Sequence, residues 1–182
     1  MHPFHDALVS FAERRVINMN IIVTLDDNLA IGNEGKMLVN IPSNVKRIRD
    51  LINGKVTVIG RKTFENFPSE LLSLTRLNII LSKNKDYKIN GGNNIVVNSI
   101  EQLRGELLKF KREDIFVLGG KSIFDELLDE CNRVYMTRID YEYTADTFFT
   151  DITKESGWKK VFEDEEAVYF DVTYTFEIYE KC

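Results

Sequence analysis

From Met19 onward the chain alternates short, β-branched apolar runs with segments of helical periodicity, and this alternation limits the folds open to it. "NIIVTL" (20–25), "KVTVIG" (55–60), "LNIILS" (77–82), "NNIVVN" (93–98) and "DIFVLGG" (114–120) read as strands. Their continuous apolarity implies burial on both faces, as in a mostly parallel sheet covered by helices. Between them, "SNVKRIRDLIN", "KTFENFPSELL", "SIEQLRGELLKF" and "KSIFDELLDEC" place apolar residues three and four apart, the spacing of a helix with one buried stripe. Ser99, followed by Ile100 and then Gln102, has the pattern of a capping box. The tail differs. "NRVYMTRIDYEY", "GWKKVFEDE" and "AVYFDVTYTFEIYEKC" carry aromatic and β-branched residues in partial alternation with no helix between them, so they should add antiparallel strands at one edge. The expected fold is α/β: a three-layer α/β/α arrangement with a mixed, mostly parallel central sheet and an antiparallel C-terminal edge.

With 182 residues the chain can close one substantial core. A formal charge of −5 without a dense Lys/Arg tract argues against a nucleic-acid surface. No apolar run approaches the roughly 20 residues that span a bilayer. Cys131 and Cys182 lack partners at metal-ligand spacing, so free thiols, a cytoplasmic location and no metal site are expected. Residues 1–18 stand apart from the domain expected over 19–182. Phe4, Ala7, Leu8, Phe11 and Ala12 recur at helical spacing, so the extension is expected to be disordered or a short helix, and it does not read as a secretion signal.

Two strand-to-helix junctions suit an anionic ligand. In "VLGGKSIFDELL" (117–128) two glycines precede a helix start, where free N–H groups and the helix dipole favour negative charge. A plain turn would look the same, and the third glycine of the dinucleotide fingerprint is missing. In "VIGRKTFENFP" (58–68) Arg61 and Lys62 open a helix, a place where the dipole disfavours cations unless they serve solvent or a bound phosphate. "LSKN" (81–84) sets Ser82 and Lys83 at the next strand end, where an open α/β sheet binds its ligand.

"VTLDDNLAIGNEGKM", "NIPSN", "VIGRKTFENFP", "RLNIILS", "VLGGKSIFDELL", "VYMTRID" and "ADTFFTD" follow the order of the motifs of bacterial dihydrofolate reductases, which the chain resembles from Met19 to Cys182. The resemblance implies NADPH as cofactor, with Arg61, Lys62, Ser82 and Lys83 at its 2′-phosphate and Thr63 near the diphosphate. Gly119 and Gly120, joined in the family by a cis peptide, would line the pyrophosphate together with Lys121, Ser122, Ile123 and Phe124. Thr24, Ile31 and Gly32 would border the nicotinamide, with Thr24 also at the substrate. Val45 and Ile48 would pack on the substrate rings, and Arg76 would pair with the glutamate carboxylate, a bidentate task suited to guanidinium. Thr137 would hydrogen-bond the catalytic position, and Asp146 would steady the loop around Asn33 to Met37.

The departures lie in the substrate half. Where the family carries Trp there is Val39, and where it carries the proton-donating Asp or Glu there is Asn44. An Asn oxygen accepts and its NH₂ donates, but neither supplies negative charge. Asn is also a welcome residue at any helix start. The resemblance therefore implies NADPH-dependent reduction of dihydrofolate to tetrahydrofolate, possible as a slow reaction without its usual acid. Alternatives are a same-fold reductase of another pterin or of a ribosylaminopyrimidine, and a non-catalytic NADPH-binding protein. A monomer acting on a small molecule, with no nucleic-acid or membrane partner, is expected.

Overall fold

The computed structural model describes residues 18–182; the expectations for the N-terminal extension and its Phe4–Phe11 stripe lie outside the described residues. The order begins β1 (Met19–Leu25), β2 (Ala30–Gly32), α1 (Pro42–Ile52), β3 (Val56–Gly60), α2 (Arg61–Asn66), α3 (Ser69–Leu72) and β4 (Leu77–Leu81). It continues β5 (Asn94–Val97), α4 (Ile100–Leu107), β6 (Ile115–Gly119), α5 (Lys121–Leu127) and β7 (Cys131–Asp140). The last strands are β8 (Thr147–Phe148), β9 (Trp158–Glu163), β10 (Ala167–Tyr169) and β11 (Val172–Lys181).

β5, β4, β3, β6, β1 and β7 lie side by side, all parallel. β11 runs antiparallel to β7, and both β9 and β10 pair with its outer edge. The mixed sheet with an antiparallel C-terminal edge is the expected one, except that β7, expected among the antiparallel tail strands, runs parallel to β1, and the antiparallel pairing begins only with β11. Helices cover both faces. On one side Ile48 and Ile52 of α1 pack on Ile22, Ile59, Ile80 and Phe116. On the other, Leu103 and Leu107 of α4 and Leu127 of α5 pack on Ile21, Val58, Ile79 and Val117. Leu103 and Leu107 are fully buried, each worth roughly 1.5–3 kcal/mol of apolar transfer. Among the described residues no helix is long and apolar enough to cross a membrane.

Local chemistry explains the helix ends. Pro42 occupies the first turn of α1, where its missing N–H costs nothing and its φ is already helical. Ser99 caps α4 by accepting from the Gln102 N–H at 3.1 Å. The reciprocal bond of Gln102 reaches the Asn98 N–H at 2.8 Å, one residue before the cap. The segment read as one helix, "KTFENFPSELL", forms two, because Pro68 stands between them and the residue before a proline is driven out of the α region. β2 and β8 were not legible as strands: they are short and pair only with each other. Cys131 and Cys182 are free thiols, and burial pushes the Cys131 thiol up to about 12, so it is inert at neutral pH.

Candidate active site

The carboxyl ends of β1, β3, β4 and β6 open on one cleft of about 1150 Å³, with Thr24, Gly60, Leu81, Ser82, Leu118 and Gly120 on its wall. Drug-sized ligands occupy ~300–1,000 Å³, so this volume suits a dinucleotide with a second, smaller molecule.

At one end, the junctions after β3 and β6 touch. A Cβ on Gly120 would lie 3.0 Å from Thr63 Oγ1, so only glycine lets the two turns approach this closely. Gly119 adopts φ +109°, and a Cβ there would meet the Phe124 ring at 3.1 Å; both backbone and packing exclude a side chain. The Gly119–Gly120 peptide is cis. No side chain caps α2 at Gly60 or α5 at Gly120, which leaves first-turn N–H groups as donors for an anion. Thr63, Lys121, Ser122, Ile123 and Phe124 border the cleft, as do Ile31, Gly32, Arg61, Lys62, Ser82 and Lys83. Gly119 sits behind Gly120 and is not itself on the wall. This donor set of backbone N–H groups, hydroxyls and cations fits a phosphorylated dinucleotide.

The cations are not equivalent. Arg61 pairs with Glu65 at 3.2 Å, one helical turn along, and its guanidinium lies 5.6 Å from the Tyr87 ring centre. Burial, then Glu65, raises the Tyr87 hydroxyl above its ordinary value. Lys121 is engaged by Asp125 at 2.9 Å. Lys62 and Lys83 are exposed and make no ion pair among the described residues. Opposite them, the loop after β2 is held by Asp146, whose carboxylate accepts from the Glu34 N–H at 2.9 Å. That backbone bond, followed by one from Thr147, keeps the Asp146 carboxyl below its usual range. The pairing of Gly32 with Thr147 closes the same contact.

The other end of the cleft is apolar, walled by Ile22, Val39, Ile48 and Leu118, with one polar group set. Thr24 and Thr137 face each other as register partners on β1 and β7. Asn44, 2% exposed, spans them: its Oδ1 accepts from Thr137 Oγ1 at 2.7 Å and its Nδ2 donates to Thr24 Oγ1 at 2.9 Å. Thr24 borders the cleft, whereas Asn44 and Thr137 stand behind it. α1 is tied to the tail strands around this point. Ser43 hydrogen-bonds Tyr174, and Arg47 donates to the Met136 carbonyl at 3.1 Å while lying 4.3 Å over Phe176. Burial lowers the Arg47 guanidinium from its ordinary value.

Two expected substrate contacts are placed elsewhere. Val45 packs into the core between α1 and the sheet and does not reach the cleft wall. Arg76 is exposed in the bend just before β4, where its guanidinium lies 5.2 Å over the Phe110 ring rather than in the cleft. Strand periodicity does not govern a side chain just before a strand, and a flat aromatic face competes for the guanidinium. Sequence reasoning passed over Glu65 and Arg47, and it named Thr24 without its bond to Asn44. Glu65 was detectable from its four-residue offset from Arg61; the roles of Thr24 and Arg47 needed the strand register.

A sequence model of the dihydrofolate reductase family matches residues 18–181. The chain belongs to the dihydrofolate reductase family. The dihydrofolate reductase of Staphylococcus aureus strain Mu50 is 31% identical over 142 residues, covering 76% of this chain and 82% of that protein. That of Buchnera aphidicola subsp. Baizongia pistaciae is 31% identical over 147 residues, with 81% and 85% covered. Among solved structures, dihydrofolate reductase from Enterococcus faecalis, complexed with NADP(H) and RAB-propyl, aligns with a TM-score of 0.72 at 28% identity. It covers 91% of this chain and 97% of its own.

Proposed function

We propose that this protein reduces dihydrofolate to tetrahydrofolate with NADPH, as a monomer in the cytoplasm. The carrying observation is that one cleft holds both the phosphate-type donors at the ends of β3, β4 and β6 and, beside an apolar wall, Thr24, which Asn44 links from behind to Thr137. NADPH would set its 2′-phosphate against Arg61, Lys62, Ser82 and Lys83, and its pyrophosphate over Gly119, Gly120 and the start of α5. Thr24, Ile31 and Gly32 would border its nicotinamide. When bound, it supplies the hydride. The pteridine would lie against Ile22, Ile48 and Leu118, an arrangement that excludes water and brings two reactants into one orientation.

The residues handle the accompanying proton differently from a carboxylate site. Asn44 cannot give up a proton, and it brings no negative charge to stabilise a protonated ring. The proton then comes from solvent or arrives on the substrate, and the chain forgoes a contribution of about 10²–10⁴ in rate. The test follows NADPH oxidation with dihydrofolate across a pH series. Slow turnover that rises toward acid pH is expected. No turnover at any pH, with NADPH still bound, would reject dihydrofolate as substrate.

One observation favours a second reading. With Arg76 stacked on Phe110, the apolar end of the cleft has no arginine among the described residues for a glutamate tail, so a pterin or ribosylaminopyrimidine without that tail is the alternative substrate. A panel of such heterocycles in the same assay separates the two, and NADPH binding without turnover on any of them would leave a non-catalytic binder.

A further inference from the structure

The hydrogen bonds at the substrate wall run in one direction. Thr137 donates to Asn44, and Asn44 donates to Thr24. A hydroxyl that accepts from Asn44 keeps its own hydrogen for another acceptor, and no acceptor for the Thr24 hydrogen is found among the described residues. Thr24 is also the member of the set that borders the cleft. The chain thus delivers one polarised O–H toward the ligand, each bond strengthening the next.

The surrounding charges point the same way. On α1, Arg47 lies one turn beyond Asn44 and is pinned at Met136, next to Thr137. Two carboxylates on the neighbouring elements are already engaged. Asp26, at the end of β1, accepts from the N–H groups of Asn28, Ala30 and Tyr143 at 2.9, 2.9 and 2.8 Å. Glu177 on β11 is taken up by Arg138 of β7, Lys160 and Tyr179. The titratable groups on the packed elements also include Tyr135 on β7 and Tyr174 on β11, and Tyr174 bonds Ser43. Across the cleft, Asp146 accepts from the Glu34 N–H and Glu65 pairs with Arg61, while Glu34 itself borders the cleft in the loop after β2.

We infer that Thr24 is a specificity-determining residue whose hydroxyl donates to an unprotonated ring nitrogen, so that this wall takes an aminopyrimidine-type heterocycle in its uncharged form. The inference rests on reading this end of the cleft as a pteridine pocket. A carboxylate at position 44 would reverse the chain. Having no hydrogen to give, it would draw both threonine hydroxyls toward itself and leave Thr24 only lone pairs for the ligand, beside a negative charge. That wall favours a protonated ring.

The probe is a 5-benzyl-2,4-diaminopyrimidine, whose ultraviolet spectrum reports protonation of its ring nitrogen, titrated into the NADPH-bound protein between about pH 5 and 9. The bound spectrum is expected to be that of the free base, with affinity falling ~10-fold per pH unit below the probe's own pKa. Asn44→Asp should bind the probe as the cation and lose that acid-side fall. Thr24→Val, which keeps the shape and removes the hydroxyl, should weaken the free base by ~3–10-fold. A cationic spectrum in the unaltered protein, or a silent Thr24→Val, overturns the inference. If the unaltered protein takes up NADPH but no probe at any pH, the pteridine-pocket reading falls, and the inference with it.

Discussion

Replacing both Arg61 and Lys62 with Ala tests the cofactor assignment quantitatively. A charge-assisted hydrogen bond contributes about 1.5–3 kcal/mol, but neither residue delivers the full value. Arg61 is already shared with Glu65 at 3.2 Å, and the two side chains are 33% and 44% exposed; a pair of that kind holds only ~0.2–1 kcal/mol. Lys62 is exposed and solvated. About 1–1.5 kcal/mol each is a reasonable yield, or ~2–3 kcal/mol together, which is a ~30–150-fold loss of NADPH affinity. NADH lacks the 2′-phosphate and should lose no more than ~3-fold, from the weaker general field. The structure adds a counterpart. Glu65→Gln releases Arg61 and removes a carboxylate from the phosphate's neighbourhood, so NADPH should tighten by ~2–5-fold. Fluorescence titration of both cofactors at fixed ionic strength reads all of these. Equal losses for NADPH and NADH in the double variant would refute the phosphate site.

Asn44→Asp should raise dihydrofolate turnover at least ~10-fold near neutral pH and flatten the acid-side rise, as measured by steady-state NADPH oxidation; unchanged rates at every pH would remove position 44 from the chemistry. Deleting residues 1–18 should leave NADPH affinity intact and shift Tm by less than ~4 °C, about 1–2 kcal/mol for a domain of this size; a larger drop in calorimetry would show that the extension packs on the body. Lys55 bonds Asp114 at 2.5 Å and is the main cause of that carboxyl sitting below its ordinary value. A depressed carboxyl stabilises the fold above its unfolded value, near pH ~4, and loses that contribution as pH falls through the lower, folded value. The stability gap between the protein and Lys55→Met should therefore be small but measurable in urea at neutral pH, since both groups are over a third exposed, and should close below about pH 4; a gap that widens in acid would contradict the pairing.

Local pattern was enough for the parallel strands, the major helices and the Ser99 cap, because each depends on residues within a few positions of one another. The gathering of Arg61, Lys62, Ser82 and Lys83 on one cleft wall was legible for a related reason. Glycines, hydroxyls and cations at strand ends are arranged by the topology of the sheet, which the strand–helix alternation already implies. The break at Pro68 was also within reach, since it follows from backbone sterics alone. The substrate end depends on geometry that spacing does not carry. Thr24 meets Asn44 only because β1 and β7 pair in the register that sets Thr24 opposite Thr137, and a one-residue slip of either strand would turn its hydroxyl to the other face and part the two. Arg76 leaves the cleft for Phe110 because a long, flexible side chain just before a strand goes to the nearest favourable surface. The sequence by itself determined that position 44 carries no charge. Only the tertiary structure decided which way its hydrogen bonds run, because the two hydroxyls that orient the amide come from strands far apart in the chain.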